Sequence, residues 1–372
     1  MRIAIDCADL DCQRIDGTRV YIKKCLDHFG SLDNYSVFHL YHKKEFNPDL
    51  KPKFYYNYKD EIIPYPFFWT QTRLGFEINF TLPDVLWMPI QQLPFLADDK
   101  MTKIVVTIHD LAFKYFPQHF TLRDRLKLDF FTETAVKRAD KIIAVSESTR
   151  KDILKFYPKT DPEKIKVIYH GVDKKAFYRK FSSQKTKAVL DKNKLKGEYL
   201  LYVGAIQPRK NLETLIKAFE SLKRGGSKLK LVIVGEPAWK SEKTLERIRK
   251  SRFRKNIILT GKVEFADLPV VYQNAKIFVF PSLYEGFGLP VLEAWASGVP
   301  VIVANNSSLA EIGGEGVLKF ENLDYKGLKN QMTTLLNDDI IRQEMINKGN
   351  EVLKNFSWEK CAKETLNFIE KS

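Results

Sequence analysis

A chain of 372 residues, 44% of them hydrophobic, is long for one core and comfortable for two, which excludes a disordered protein. Its formal net charge of +15 favours partners that carry phosphate: a nucleotide, a nucleic acid or an anionic membrane surface. Cys7, Cys12, Cys25 and Cys361 show no C-x-x-C spacing, so neither a zinc site nor a disulfide framework is indicated. No run approaches the roughly 18 apolar residues that span a bilayer. The opening MRIAIDCADLD meets acidic and polar residues too early for a signal peptide, and a cytoplasmic location is expected.

Arg2 to Asp6 reads as a first strand, followed by a loop with Asp16, Gly17 and Thr18 and a helix from about Arg19 to Phe29. Val37 to Tyr41 and Asp84 to Trp87 read as further strands. Residues 46–72 hold Pro48, Pro52, Pro64, Pro66 and the cluster Phe67-Phe68-Trp69. That composition predicts no regular element; the aromatics are either buried packing or an acceptor-side surface. Ile104 to Ile108 is a strong strand ending in His109-Asp110. Ligands of open α/β sheets bind beyond the carboxyl ends of strands, which makes His109 a candidate for chemistry or for a sugar hydroxyl. The commoner role of a histidine there is structural.

Leu122 to Ala139 reads as helix, Ile142 to Val145 as strand, Ser146 as the N-cap of a helix through Phe156, and Ile165 to Tyr169 as strand. This alternation predicts a parallel, doubly wound α/β domain. The charged stretch Lys174 to Lys196 marks a boundary, giving a first domain at 1–180 and a second at 181–356. The alternation then restarts with strand Tyr199 to Val203, helix Leu212 to Leu222, strand Leu229 to Val234 and strand Ile257 to Leu259. Two similar halves imply a cleft in which a ligand is shared.

Ile277 to Ala304, IFVFPSLYEGFGLPVLEAWASGVPVIVA, reads as strand, loop, helix and strand, and is expected to complete the second sheet. Gly286 and Gly288 make a loop that delivers backbone N–H groups at a helix N-terminus, a site suited to phosphate. Glu285 and Glu293 frame it, and both are expected to face a solvated crevice, where a carboxylate accepts hydrogen bonds from sugar hydroxyls. The bland alternative is that Glu293 complements the helix dipole and the glycines only turn the chain. A second loop, Gly204 to Asn211, puts Arg209 and Lys210 beyond a strand. They read as an exposed basic turn or, beside the first loop, as fixed cations for a diphosphate leaving group. The tail is helical, and Ser357 caps a last helix through Phe368 in which Trp358 is the expected anchor.

The segments YVGAIQPRKNLETLIKAF, PSLYEGFGLPVLEAWASGVPVIVANNSSLAEI, IHDLAFKYFP and FSWEKCA resemble the retaining glycosyltransferases of family 4. The resemblance covers essentially the whole chain and is strongest to the mannosyltransferase-type members of surface-polysaccharide assembly. It implies a GT-B fold: two Rossmann-like domains facing a cleft, with residues 357–372 crossing back to the first. It implies transfer of a hexose, best matched by mannose from GDP-mannose, to a glycan or lipid-linked acceptor with retention of configuration. Attack on the same face, with the leaving phosphate taking the acceptor proton, is the implied course.

By position, Glu293 would bind the donor ribose and Glu285 would contact the transferred sugar. Gly286, Phe287 and Gly288 would offer amides, Arg209 and Lys210 would hold the diphosphate, and His109 would face the donor sugar. Gly261-Lys262-Val263 would lie near the base, and Gly17 would bring its loop to the diphosphate. No metal and no cofactor beyond the nucleotide-sugar co-substrate are implied, nor a nucleic acid, and the enzyme would sit in the cytoplasm or peripherally on the inner membrane face. Asp9-Leu10-Asp11 alone has the spacing of a metal-binding D-x-D. Two departures stand out: a single glycine in Asp16-Gly17-Thr18, where a pair is common, and Ala205 after Gly204, where some members place arginine. The competing classes are a GT-B sugar-nucleotide epimerase and, from charge alone, a nucleic-acid-binding protein lacking any recognition motif.

Overall fold

The computed structural model describes residues 1–97 and 101–372. Two α/β units divide it: Met1–Gly171 with Ser357–Ser372, and Val172–Phe356. The first is built on seven parallel strands, β1 (Arg2–Asp6), β2 (Val37–His42), β3 (Tyr58–Ile62), β4 (Val85–Met88), β5 (Lys103–Ile108), β6 (Lys141–Ala144) and β7 (Ile165–Val167). They lie in the order β3-β2-β1-β4-β5-β6-β7. The inner strands are continuous apolar runs because helices cover both faces of a parallel sheet; β4 is buried along its whole length. The chain winds outward from β1 through β2 to β3, and outward the other way from β4, so strand order reverses between β1 and β4.

The helix Trp358–Glu370 belongs to this first unit, as expected. Its buried Trp358, Cys361, Ala362, Leu366 and Ile369 pack with Tyr21, Cys25, Leu26 and Phe29 of the helix Gly17–Leu32. Ser357 caps it, its side chain accepting from the Lys360 N–H at 3.0 Å. A Cβ on Gly171 would stand 2.1 Å from the Trp358 nitrogen, so only glycine lets the chain pass there.

The second unit has six parallel strands, β8 (Tyr199–Val203), β9 (Lys230–Val234), β10 (Ile257–Gly261), β11 (Ile277–Phe280), β12 (Val301–Ala304) and β13 (Val317–Phe320), in the order β10-β9-β8-β11-β12-β13. Here order reverses between β8 and β11.

The structure corrects three expectations and divides one open alternative. Residues 46–72 do contain a regular element, β3, whose sequence YKDEI is polar because it is an edge strand with one flank open. Within the aromatic cluster, Phe67 and Phe68 are exposed, but Trp69 is buried and donates its indole N–H to the Ile63 carbonyl at 2.7 Å. The stretch 277–304 does not complete the second sheet, since β13 pairs beyond β12. The chain divides after Gly171 rather than after residue 180. The helix Lys174–Tyr178 joins the second unit because Phe177 packs edge-on against Tyr272, and Gln273 Nε2 donates to the carbonyls of Phe177 and Arg179 at 2.7 and 2.9 Å.

Candidate active site

The two loops that leave β8 and β11 meet at the switch point of the second sheet. Pro208–Lys210 forms a short 3-10 turn, and Asn211 then takes a left-handed conformation (φ 54°). Its side chain donates to the Pro281 carbonyl at 3.1 Å, and the Leu283 N–H donates to the Arg209 carbonyl at 2.9 Å. This lacing brings Arg209 and Lys210 onto Glu285. Lys210 Nζ lies 2.6 Å from Oε1, while Arg209 Nη1 lies 3.3 Å from Oε2 and donates to the Tyr284 carbonyl at 2.5 Å. Glu285 is only 8% exposed, so the solvent-facing carboxylate expected there is instead a buried member of an ion triad. Burial pushes its carboxyl up, but Lys210 and then Arg209 outweigh that and hold it below the ordinary glutamate range.

The loop that follows is fixed by residues the sequence did not single out. The Glu285 N–H donates to Ser307 Oγ at 3.1 Å. Ser308 Oγ lies 2.8 Å from the carbonyl oxygens of Glu285 and Phe287, donating to one at a time. The available signal was Asn306-Ser307-Ser308, a run of capping residues directly after a strand. Gly288 opens the helix Leu289–Ala296 at φ 114°, and a Cβ there would stand 3.0 Å from Leu309 Cδ2, so the close turn requires glycine. Gly286, Phe287 and Gly288 are all buried, with the Phe287 ring edge-on to Phe356.

Glu293 stands apart from the triad, in the second turn of that helix, half-buried, and accepts from the Tyr272 hydroxyl at 2.8 Å. Burial pushes its carboxyl up to about 7 against the lowering effect of Tyr272. Val263 follows β10 and is buried; the Gly261 carbonyl before it accepts from the Gly235 N–H at 2.9 Å, joining the ends of β9 and β10.

The remaining candidates belong to the first unit. His109 follows β5, and its Nε2 is 2.8 Å from the Pro89 carbonyl. A carbonyl only accepts, so Nε2 carries the proton and Nδ1 is left as an acceptor. Burial lowers the His109 pKa despite that carbonyl and the nearby Asp110, Asp16 and Asp9, so the ring is neutral at pH 7. Gly17 is the first residue of its helix, capped by Asp16, whose carboxylate is held by Arg14 at 3.1 Å and Arg19 at 2.6 Å. Asp9 is paired with Arg19 at 3.2 Å, and Asp11 is buried with the Lys43 N–H on its carboxylate at 3.3 Å.

Residues 36–176 match the model of Glycosyltransferase Family 4, and residues 183–352 match that of Glycosyl transferases group 1. The chain is 30% identical over 278 residues to O-antigen chain mannosyltransferase B of Escherichia coli, covering 73% of this chain and 71% of the relative. The chain belongs to glycosyltransferase family 4. A longer relative, the serotype-specific mannosyltransferase WbdA of Escherichia coli, is 29% identical over 273 residues, and the match spans 33% of its length. The Anabaena protein HepE, solved with UDP-glucose, superposes with a TM-score of 0.74 at 15% identity, with all of both chains covered. This glycosyltransferase therefore has the two parallel-sheet α/β domains of the GT-B fold, as its motifs implied.

Proposed function

We propose that the enzyme transfers mannose from GDP-mannose to a glycan or lipid-linked acceptor of a surface polysaccharide, retaining configuration and using no metal. The observation that carries this reading is the ion triad of Arg209, Lys210 and Glu285 at the switch point of the second sheet. Two fixed cations stand where a diphosphate leaves, and their present partner is a carboxylate that a sugar can use. Donor binding exchanges these partners: the diphosphate takes the cations, and Glu285 turns to hydroxyls of the transferred sugar. Glu293 then takes the ribose, the amides from Gly286 to Gly288 face the phosphates, and His109 offers Nδ1 to a donor-sugar hydroxyl. As the bond from the anomeric carbon to the phosphate oxygen breaks, the acceptor oxygen bonds that carbon on the same face and its proton passes to the phosphate. The mannosyl choice follows the Escherichia coli relatives; UDP, held by HepE, is the alternative nucleotide.

The test is a thermal-shift panel of GDP-mannose, UDP-glucose, ADP-glucose and dTDP-glucose, followed by transfer assays with and without excess EDTA. A ligand at 100 times its Kd stabilises the fold by about 2.7 kcal/mol. GDP-mannose is expected to give the largest shift, an α-linked product, and transfer that survives EDTA. A larger shift with a UDP-sugar overturns the donor assignment. Activity lost to chelator and restored by Mg²⁺ overturns the fixed-cation mechanism.

A further inference from the structure

Tyr272 stands in the helix Leu268–Gln273, and among the described residues its hydroxyl has one partner, the carboxylate of Glu293. It donates to Glu293 Oε2 at 2.8 Å. The ring is fully buried and held by two others, edge-on to Phe177 at 5.7 Å and tilted against Phe278 of β11 at 5.4 Å. Packing therefore sets the direction of the hydroxyl before any ligand arrives. Glu293 differs: it is half-buried, and Oε1 carries no hydrogen bond among the described residues. An ionised carboxylate offers about four lone-pair sites. Tyr272 occupies one of them on Oε2, which leaves Oε1 whole for a hydroxyl.

A pair kept only for packing would be built differently. Burial of the Glu293 carboxyl pushes it up to about 7, and Tyr272 works against that rise. Phenylalanine and leucine would fill the same space without burying a carboxyl or a hydroxyl. Burial first, and then the charge of Glu293, hold the Tyr272 hydroxyl well above the ordinary tyrosine range. It therefore stays a donor across the range in which Glu293 titrates. Tyr202 of β8 also bears on Tyr272, and burial holds it protonated too. Among the described residues no cation or second carboxylate bears on Glu293. Between pH 6 and 9 Glu293 is thus the member of this group that changes charge.

We infer that Tyr272 is a positioning residue for donor binding: it pins Oε2 of Glu293 and so presents Oε1 to a ribose hydroxyl. This rests on the reading above in which Glu293 takes the ribose. The test is donor Kd from pH 6 to 9 for the full-length wild type, Tyr272→Phe and Glu293→Gln. The probe is GDP-mannose, or whichever of the four panel nucleotides shifts the wild type most. Phenylalanine removes one oxygen and keeps the ring, so the packing against Phe177 and Phe278 is retained. A hydrogen bond to the charged form favours that form, so its loss should move the midpoint of the profile up by about one pH unit. The ionised fraction at pH 7 then falls from about a half to about a tenth, and Tyr272→Phe binds donor about fivefold more weakly there. At pH 9 most of that loss should be recovered. A loss equal at every pH marks a packing role and overturns the inference. An unchanged profile in Tyr272→Phe, with binding weakened in Glu293→Gln, overturns the role of Tyr272 alone. Wild-type affinity in Glu293→Gln removes Glu293 from the donor site and Tyr272 with it. If no sugar nucleotide binds the wild type, the transfer reading falls and takes both.

Discussion

Both units place a buried carboxylate beyond the two central strands where strand order reverses, and they treat it in opposite ways. In the second unit Glu285 is compensated by Lys210 and Arg209 and lies below its ordinary pKa. In the first unit Asp6 has one oxygen unbonded and is pushed up to about 7. A compensated carboxylate comes with cations that can be handed to an anionic ligand. An uncompensated one is held nearer its neutral form. The same sheet position thus carries an ion-paired carboxylate in one unit and, in the other, one with an oxygen unbonded among the described residues.

Breaking the compensated side should give the largest effect. Lys210→Ala is expected to lower transfer by about 10²- to 10³-fold, the usual loss for one fixed donor at a developing charge. It also leaves Glu285 with a weaker partner, so part of the loss is stability. Lys210→Ala with Glu285→Gln separates the two: the double variant should recover thermal stability and not transfer. Glu285 adds a pH signature. Its folded pKa is depressed, so its stabilising contribution is present above the unfolded value of 4.5 and is lost as pH falls through the folded one. Wild type should therefore lose stability on acidification below pH 4.5 more steeply than Glu285→Gln; parallel curves would show the triad contributes nothing.

A smaller effect sharpens the comparison within the second unit. Glu293 has no cation partner among the described residues and lies at about 7, raised from 4.5. A ribose-binding carboxylate works best ionised, accepting from two hydroxyls, so donor affinity should weaken as pH falls from 8 to 6. The limit is about tenfold per pH unit below 7, one unit being 1.36 kcal/mol. Glu293→Gln should bind donor more weakly and without that slope. Titration of donor Kd against pH checks it, and a flat wild-type profile would remove Glu293 from the donor site.

What was legible in the sequence follows the same division. The apolar strands β1, β5, β8 and β11 could be read directly, and so could the loops beyond them, because parallel central strands need continuous apolar runs. The polar edge strand β3 could not, and neither could β13, whose VLKF is short and carries a lysine. Arg209, Lys210 and Glu285 were each marked by type and by motif, but their pairing depends on β8 lying beside β11, which no local pattern states. Asp6 gave no local signal: at the end of a strand it looks like any turn-starting aspartate. Only the register that puts Lys43, Pro89 and Gln92 around it reveals the unpartnered oxygen.

The smallest expected effect concerns the surface of the first unit, where Phe67 and Phe68 are exposed and Trp69 is core. Further exposed apolar side chains lie along two helices. Leu122, Leu126 and Phe130 fall four residues apart on Leu122–Arg138, and Phe76 and Phe80 do so on Arg73–Thr81. Phe95 extends the first stripe, its ring centre 6.0 Å from that of Phe130. The exposed Arg123 and Lys127 flank that stripe, while Asp124 is bonded to Thr121 at 2.7 Å and Asp129 to Lys114 at 2.5 Å. No helix among the described residues is long and apolar enough to cross a membrane. The occupant we propose for this face is an anionic lipid surface, which would present a lipid-linked acceptor, each basic residue near it contributing about 1 kcal/mol. Liposome sedimentation should show weak binding to anionic vesicles that salt removes, reduced several-fold in Leu126→Asp and Lys127→Glu. Equal sedimentation with neutral and anionic liposomes at low salt would remove the membrane from the account and leave the acceptor to be met in solution.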